Sequence, residues 1–336
     1  MFALRIRLGL SLFSLCAAAC GAKDSVGKDQ GSSTSTKKSS GAAKTGDAGS
    51  AGKSASTKDA GGGDAAAATG ASDAAEDPDC DMNGVWIARL TTFNRDTVFQ
   101  AVQTASSWYY YEIEQHGRTV TIAHALDCGI QVSGSADVTI NRATTTALLT
   151  RNDQAGRSGQ FGKQTDHCVL TIDRFYSTRG IPRAVYLPKD TSSNPDLRTL
   201  TPDLPTAQMP AGNEDWDGDG HPGIAFNVAG LGSRHVVQRD WNEFYADDAS
   251  PIALGASEFT ARARFDNQEE ILETSGALGG LLMAGSTPAT SLNHRILFRR
   301  VARDASDPAV AALHVMEDVD TCYNVQAALP HDTASM

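Results

Sequence analysis

The stretch "SWYYYEIEQHGRTVTIAHAL", residues 107–126, decides the fold class. On each side of His116 and Gly117 the side chains alternate, with aromatic and β-branched residues at every second position, the period of an extended strand with one face buried. Gly117 supplies the turn, so the stretch is a hairpin and His116 and His124 flank it as strand and turn residues. Alternation sends Trp108 and Tyr110 to one face and Tyr109 and Tyr111 to the other. One pair then fills a core, and the other is available as a ligand surface.

Outward from this hairpin the same pattern recurs. "GVWIARLTT", "GIQVSG", "ADVTINR", "TTTALLTR" and "HCVLTIDRFYS" precede Pro188, and "PGIAFNVAG", "VVQRDWNEFYA", "SEFTARARFD", "QEEILETSG" and "NHRILFRRVAR" follow Pro210. Short strands at roughly ten-residue spacing, separated by Gly117, Gly134 and Gly156, predict a mostly β domain: an antiparallel sandwich or barrel. The Pro-rich connection 188–214 divides it into candidate lobes 79–187 and 215–336. "DCDMNGVWIA" and "DWDGDGHPGIA" both set D-x-D-x-[DN]-G before a strand, which favours two related β-lobes. Asp307 and Pro308 open "DPAVAALHVMEDV" as an N-cap and first helical position, predicting one short C-terminal helix.

Everything before residue 79 is of another kind. Arg5 and Arg7 precede an apolar run from Leu8 to Ala19, too short to span a bilayer, which reads as an export signal over residues 1–19. Residues 21–78 are almost wholly Gly, Ala, Ser, Thr, Lys and Asp with Val26 as the lone branched aliphatic, and hold seven of the nine lysines. Such a chain buries too little apolar surface to offset its ordering entropy, so the reading is a solvated tether. Past it, 20 basic residues face 32 acidic ones, a net charge near −12. That balance disfavours nucleic acid, whose phosphates require Lys and Arg patches. Cys80, Cys128, Cys168 and Cys322 form an even set in an exported chain and imply two disulfides, with Cys128–Cys168 and Cys80–Cys322 as the expected pairs.

The clearest chemistry lies in "GNEDWDGDGHPGIAF", residues 212–226. Asp215, Asp217 and Asp219 offer three hard oxygens, Gly220 a sharp turn and the His221 carbonyl a further ligand, the donor set that calcium takes. Asp79, Asp81 and Asn83 are a second, thinner candidate. Carboxylates are plentiful, and Asp240 with Glu243 or Glu269 with Glu270 are candidate pairs for a glycoside hydrolase, although such pairing is a property of three dimensions rather than of spacing. No G-x-S-x-G, H-E-x-x-H or Walker-type motif occurs, so no catalytic residue is assigned.

Three resemblances follow from these residues. "LCAAACGA" is similar to the lipobox of bacterial lipoproteins, which implies cleavage before Cys20 and its diacylation; Ala17 departs from the usual Leu, Val or Ile. Gly21 in place of Asp implies the outer membrane. "DWDGDGHPGIAF" resembles the calcium loops of FG-GAP/VCBS repeats and of thrombospondin type 3 modules, with Gly223 standing where the former offer another acid. Gly84-x-Trp86 resembles the opening of lipocalin barrels. The combined expectation is a cell-envelope lipoprotein, membrane-anchored at Cys20, that binds a ligand or partner through a disulfide-stabilised β domain with a structural calcium. A secreted or periplasmic hydrolase with carboxylate catalysis and a purely structural surface protein are the alternatives.

Overall fold

The computed structural model describes residues 78–97, 100–134, 136–152, 154–207, 214–276, 285–301 and 319–332. The expected signal, Cys20 and tether, and the helix expected from Asp307, lie outside the described residues. The described part is mostly antiparallel β-sheet with three α-helices. Its elements are β1 (Gly84–Asp96), β2 (Val102–His116), β3 (Thr119–Ser133), β4 (Val138–Ile140), α1 (Arg142–Arg151), β5 (Ser158–Gln164), β6 (His167–Arg179), α2 (Arg183–Tyr186), β7 (Ile224–Val228), β8 (Gly232–Ala246), β9 (Glu258–Ser275), β10 (Ser286–Pro288), β11 (Arg295–Arg300) and α3 (Val319–Ala328).

The opening hairpin is β2 and β3, paired through Ile113–Ile122 and Tyr111–Ala125. β1 pairs with β2, β3 with β5, β5 with β6, β6 with β8, β8 with β9, β9 with β11 and β11 back with β1. Every pairing is antiparallel and the ring closes, so these strands form a barrel and leave no open edge between them. β4 and β7 bridge β3 to β8 at one end, and β10 extends β1. Strands from both candidate lobes are neighbours in one sheet, β6 beside β8 and β1 beside β11, so the Pro-rich connection joins parts of a single barrel.

"TTTALLTR" departs from its predicted strand and lies in α1. Asn141 caps that helix by accepting the Thr144 amide, and Thr145 and Thr146 bond back to carbonyls four residues earlier. Leu148 and Ala147 are buried against β-strand residues of the second core cluster. A cap and a buried apolar face outweigh the strand preference of three threonines.

The disulfides also differ from expectation: Cys80 pairs with Cys168 and Cys128 with Cys322. The first ties the start of the domain to β6, where Cys168 bonds to Ile252 through its backbone, and the second ties β3 to α3. Pairing follows spatial neighbourhood, which needs the barrel register to be known.

Candidate functional site

The barrel lumen has two chemically distinct ends. At one end Trp86, Ala88 and Leu90 of β1, Tyr109 and Tyr111 of β2, Phe244 of β8, Phe259 and Ala261 of β9, and Phe298 of β11 fill the interior. Phe259 and Phe298 stack at 5.2 Å, and Trp86 meets Phe259 edge-on at 5.5 Å. Further along the same strands the inward positions become polar: Thr92 and Asn94, then Ser107 and Gln103, then Asn242, Asp240 and Gln238, then Asn267 and Glu269. They surround free space of only about 30 Å3, water-sized rather than ligand-sized.

Arg179 of β6 anchors this polar end. Its guanidinium bonds to Asp240 and, at 3.0 Å, to Asp127 of β3, and all three residues are buried. Asp240 also accepts from Ser177, and Asp127 from Asn152 at 2.6 Å. Burial lifts Asp240 above the ordinary carboxylate range against the pull of Arg179. Burial opposes the charge on Arg179, but Asp240 and Asp127 hold its pKa above the usual value. Arg157 donates to the Asn242 side chain at 2.7 Å and lies over the Phe244 ring at 4.4 Å. Burial pushes its pKa down to about 10. Asn94 Oδ1, Asn267 Oδ1 and Arg179 Nε in this lining make no hydrogen bond within the protein, and Glu269 Oε1 lies 3.7 Å from the Arg234 guanidinium.

The aromatic run does not form a ligand surface, because all four rings are buried. Tyr109 and Tyr111 stack at 5.5 Å inside the lumen, while Trp108 and Tyr110 pack with Cys128, Cys322 and Val325 beneath α3. Trp108 Nε1 donates to the Leu329 carbonyl at 2.6 Å. The carboxylate pairs do not converge either. Asp240 faces the lumen, whereas Glu243 bonds to Arg174 and Arg264 on an outer groove. Glu269 lines the lumen, and its chain neighbour Glu270 is not part of that lining.

The second acidic stretch is likewise spent on protein partners. Asp79 pairs with Lys163 and Asp81 with Arg300, Asn83 accepts the Gln115 amide, and Cys80 is in a disulfide. The two carboxylates of this stretch thus face separate cations, Lys163 and Arg300.

The first acidic loop is built differently. Asp215 accepts the amides of Gly218, Asp219 and Gly220 at 2.7, 3.2 and 2.8 Å. Burial is the largest single influence and raises its pKa, but these three N–H groups and the side chain of Asp217 together hold it below the ordinary value. Gly218 and Gly220 have φ of +71° and +89°, the left-handed conformation that lets the chain turn around the carboxylates. Asp217 Oδ2 accepts from Thr144 Oγ1 at 2.6 Å and from the Ala225 amide at 2.9 Å, tying the loop to α1 and β7. Its other oxygen, Oδ1, is buried without a partner. One oxygen from each of Asp215, Asp217 and Asp219 lies within 4.8 Å of the others. A Cβ at Gly223 would come within 2.4 Å of the Val236 carbonyl, which explains why no acid stands there.

His221, expected to contribute its carbonyl, also enters a second cluster through its ring. His221 Nδ1 lies 2.6 Å from Glu273 Oε2, and its ring stacks on that of His235 at 4.5 Å. Glu273 raises the His221 pKa. His235 and Glu273 are direct partners across β8 and β9, a relation visible in sequence only once the register is known. No protein-family model matches the chain, and comparison with curated proteins finds no match.

Proposed function

We propose that this chain is an exported cell-envelope lipoprotein, anchored through Cys20, whose barrel is a calcium-dependent binding domain. Asp215, Asp217 and Asp219 hold the ion, with the His221 carbonyl as a further ligand. The observation that carries the reading is Asp217 Oδ1, a buried carboxylate oxygen with no partner, set among carboxylates that converge to within 4.8 Å. An ionised oxygen left so is costly, and a hard cation among these acids relieves both the missing bond and the mutual repulsion. The ion's role is structural: through Asp217 it joins the loop to Thr144 on α1 and Ala225 on β7, so it pins one end of the barrel.

Partner binding then falls to the outside, because the lumen is filled. The open groove of about 620 Å3 along β6 and β8, with Arg174, Glu243, Tyr245 and Arg264, is a roomy surface for an envelope ligand or partner. Equilibrium dialysis of the purified full-length chain against calcium tests the ion. One bound calcium per chain, lost in Asp217→Ala and Asp219→Ala, is expected. Absence of binding at millimolar calcium would remove the proposal. Cys20→Ser is expected to release the chain from the membrane fraction, and unchanged retention would refute the anchor.

A further inference from the structure

We infer that His221, His235 and Glu273 form a second metal site, one for a first-row transition ion of the zinc class, beside the acidic loop and chemically distinct from it. Each of the three offers a ligand atom, and these atoms lie within 4.8 Å of one another. The inference stands on this cluster; with the calcium reading it shares the neighbour Asp219 and the residue His221, whose ring serves here and whose carbonyl serves there.

The donor set defines the ion. Two imidazoles and one carboxylate suit Zn2+, Ni2+ or Cu2+, whereas calcium takes oxygen. Three separate elements deliver these donors. His221 comes from the loop that follows Gly220, His235 from β8, and Glu273 from β9 directly opposite His235. The pleat places His235 and Glu273 on one sheet face, and the loop lays the His221 ring over it, with 21° between the two imidazole planes.

A second observation concerns His235 itself. Its side chain is only 5% exposed, and Asp219 Oδ2 holds Nε2 at 2.8 Å. Metal-bound histidines commonly carry an orienting carboxylate of this kind on a ring nitrogen. His235 Nδ1 is buried without any hydrogen-bond partner. His124 and His294 also carry a buried ring nitrogen without a partner, but His235 alone of the three lies in a cluster of converging ligand atoms. His221 and Glu273 are about half exposed, which gives an ion a path from solvent.

The test is a visible-absorption titration of the metal-free, tag-free full-length chain with Co2+, followed by Zn2+. One Co2+ per chain is expected, with the absorption of a protein-bound ion, displaced by Zn2+ and not by excess Ca2+. His221→Ala and Glu273→Gln change exposed side chains, so both should fold, as a circular-dichroism melt will verify. Each is expected to weaken Co2+ binding by more than the about 10–100-fold that loss of an outer-shell partner costs. Asp217→Asn should leave it intact. A spectrum that stays that of the aqueous ion would overturn the inference. So would binding that survives His221→Ala and Glu273→Gln but vanishes in Asp217→Asn, since the ion would then belong to the acidic loop. Failure of the calcium reading is scored separately, by dialysis against calcium.

Discussion

The two ends of the lumen are made by the same strands and obey the same alternation, yet they are held in opposite ways. Along β1 the inward residues run Trp86, Ala88, Leu90 and then Thr92, Asn94; along β8 they run Ala246, Phe244 and then Asn242, Asp240, Gln238. One end is closed by aromatic packing, where each buried ring contributes about 1.5–3 kcal/mol by removal from water. The other is closed by a charged network, where desolvation nearly cancels the Coulomb attraction and the net gain is small. A strand's period sets which residues face inward. It does not set whether the interior they face is oily or ionic.

The largest effect expected from breaking this contrast comes at Arg179. Arg179→Met leaves Asp127 and Asp240 buried without their shared counter-charge, and urea unfolding at neutral pH should show a loss of about 3–5 kcal/mol. Adding Asp240→Asn should recover part of that loss, because the two residues are coupled. A cost in the double variant equal to the sum of the single ones would mean that the network does not act as a unit. At the apolar end, Phe298→Ala is expected to cost about 3–5 kcal/mol as well, through a cavity that no second polar change repairs.

A smaller effect sharpens the comparison. Asn267→Leu removes a buried amide oxygen that has no partner. Filling that position with an apolar group should therefore change stability by no more than about 1 kcal/mol, in either direction. A loss well beyond that would show that Asn267 is held by ordered water and contributes to the fold.

The smallest effect is in pH dependence. Among the described residues the polar lumen lining contains no histidine, so mild acid acts on histidines elsewhere. Burial lowers the pKa of His294 and of His331, so each takes up a proton less readily in the fold than in the unfolded chain. The unfolded chain takes up protons near pH 6.5, so this stability is full above that value and declines as pH falls through it. His167 and His221 shift the opposite way, held up by Asp166 and Glu273, so the readout is a difference: the loss of urea midpoint on going from about pH 7.5 to 5.5 should be smaller in His331→Gln than in the unaltered chain.

Much of the scaffold was legible in the sequence because strand period and turn glycines are local signals. The hairpin across Gly117 and the later β7, β8, β9 and β11 stand where alternation places them. What failed depended on partners distant in sequence. The disulfide pairs, the burial of Trp108 and Tyr110 under α3, and the inward aim of Asp240 follow from register and from covering elements. α1 was hidden for a different reason, since its threonines carry strand preference and only the Asn141 cap and buried Leu148 reverse it. The acidic loop was visible as a motif. The His221, His235 and Glu273 cluster was not, because 52 residues separate its ends and only the β8–β9 register joins them.

The central claim is that an ion in the acidic loop holds one end of the barrel together. The most direct measurement is thermal unfolding of the full-length chain in EDTA and then across a calcium titration, beside Asp217→Ala. Binding to the native state alone stabilises by about 2.7 kcal/mol at 100 times Kd. The account predicts a clear calcium-dependent rise in Tm that Asp217→Ala abolishes. An identical melt with and without millimolar calcium would contradict it and reduce "DWDGDGHPG" to an acidic turn.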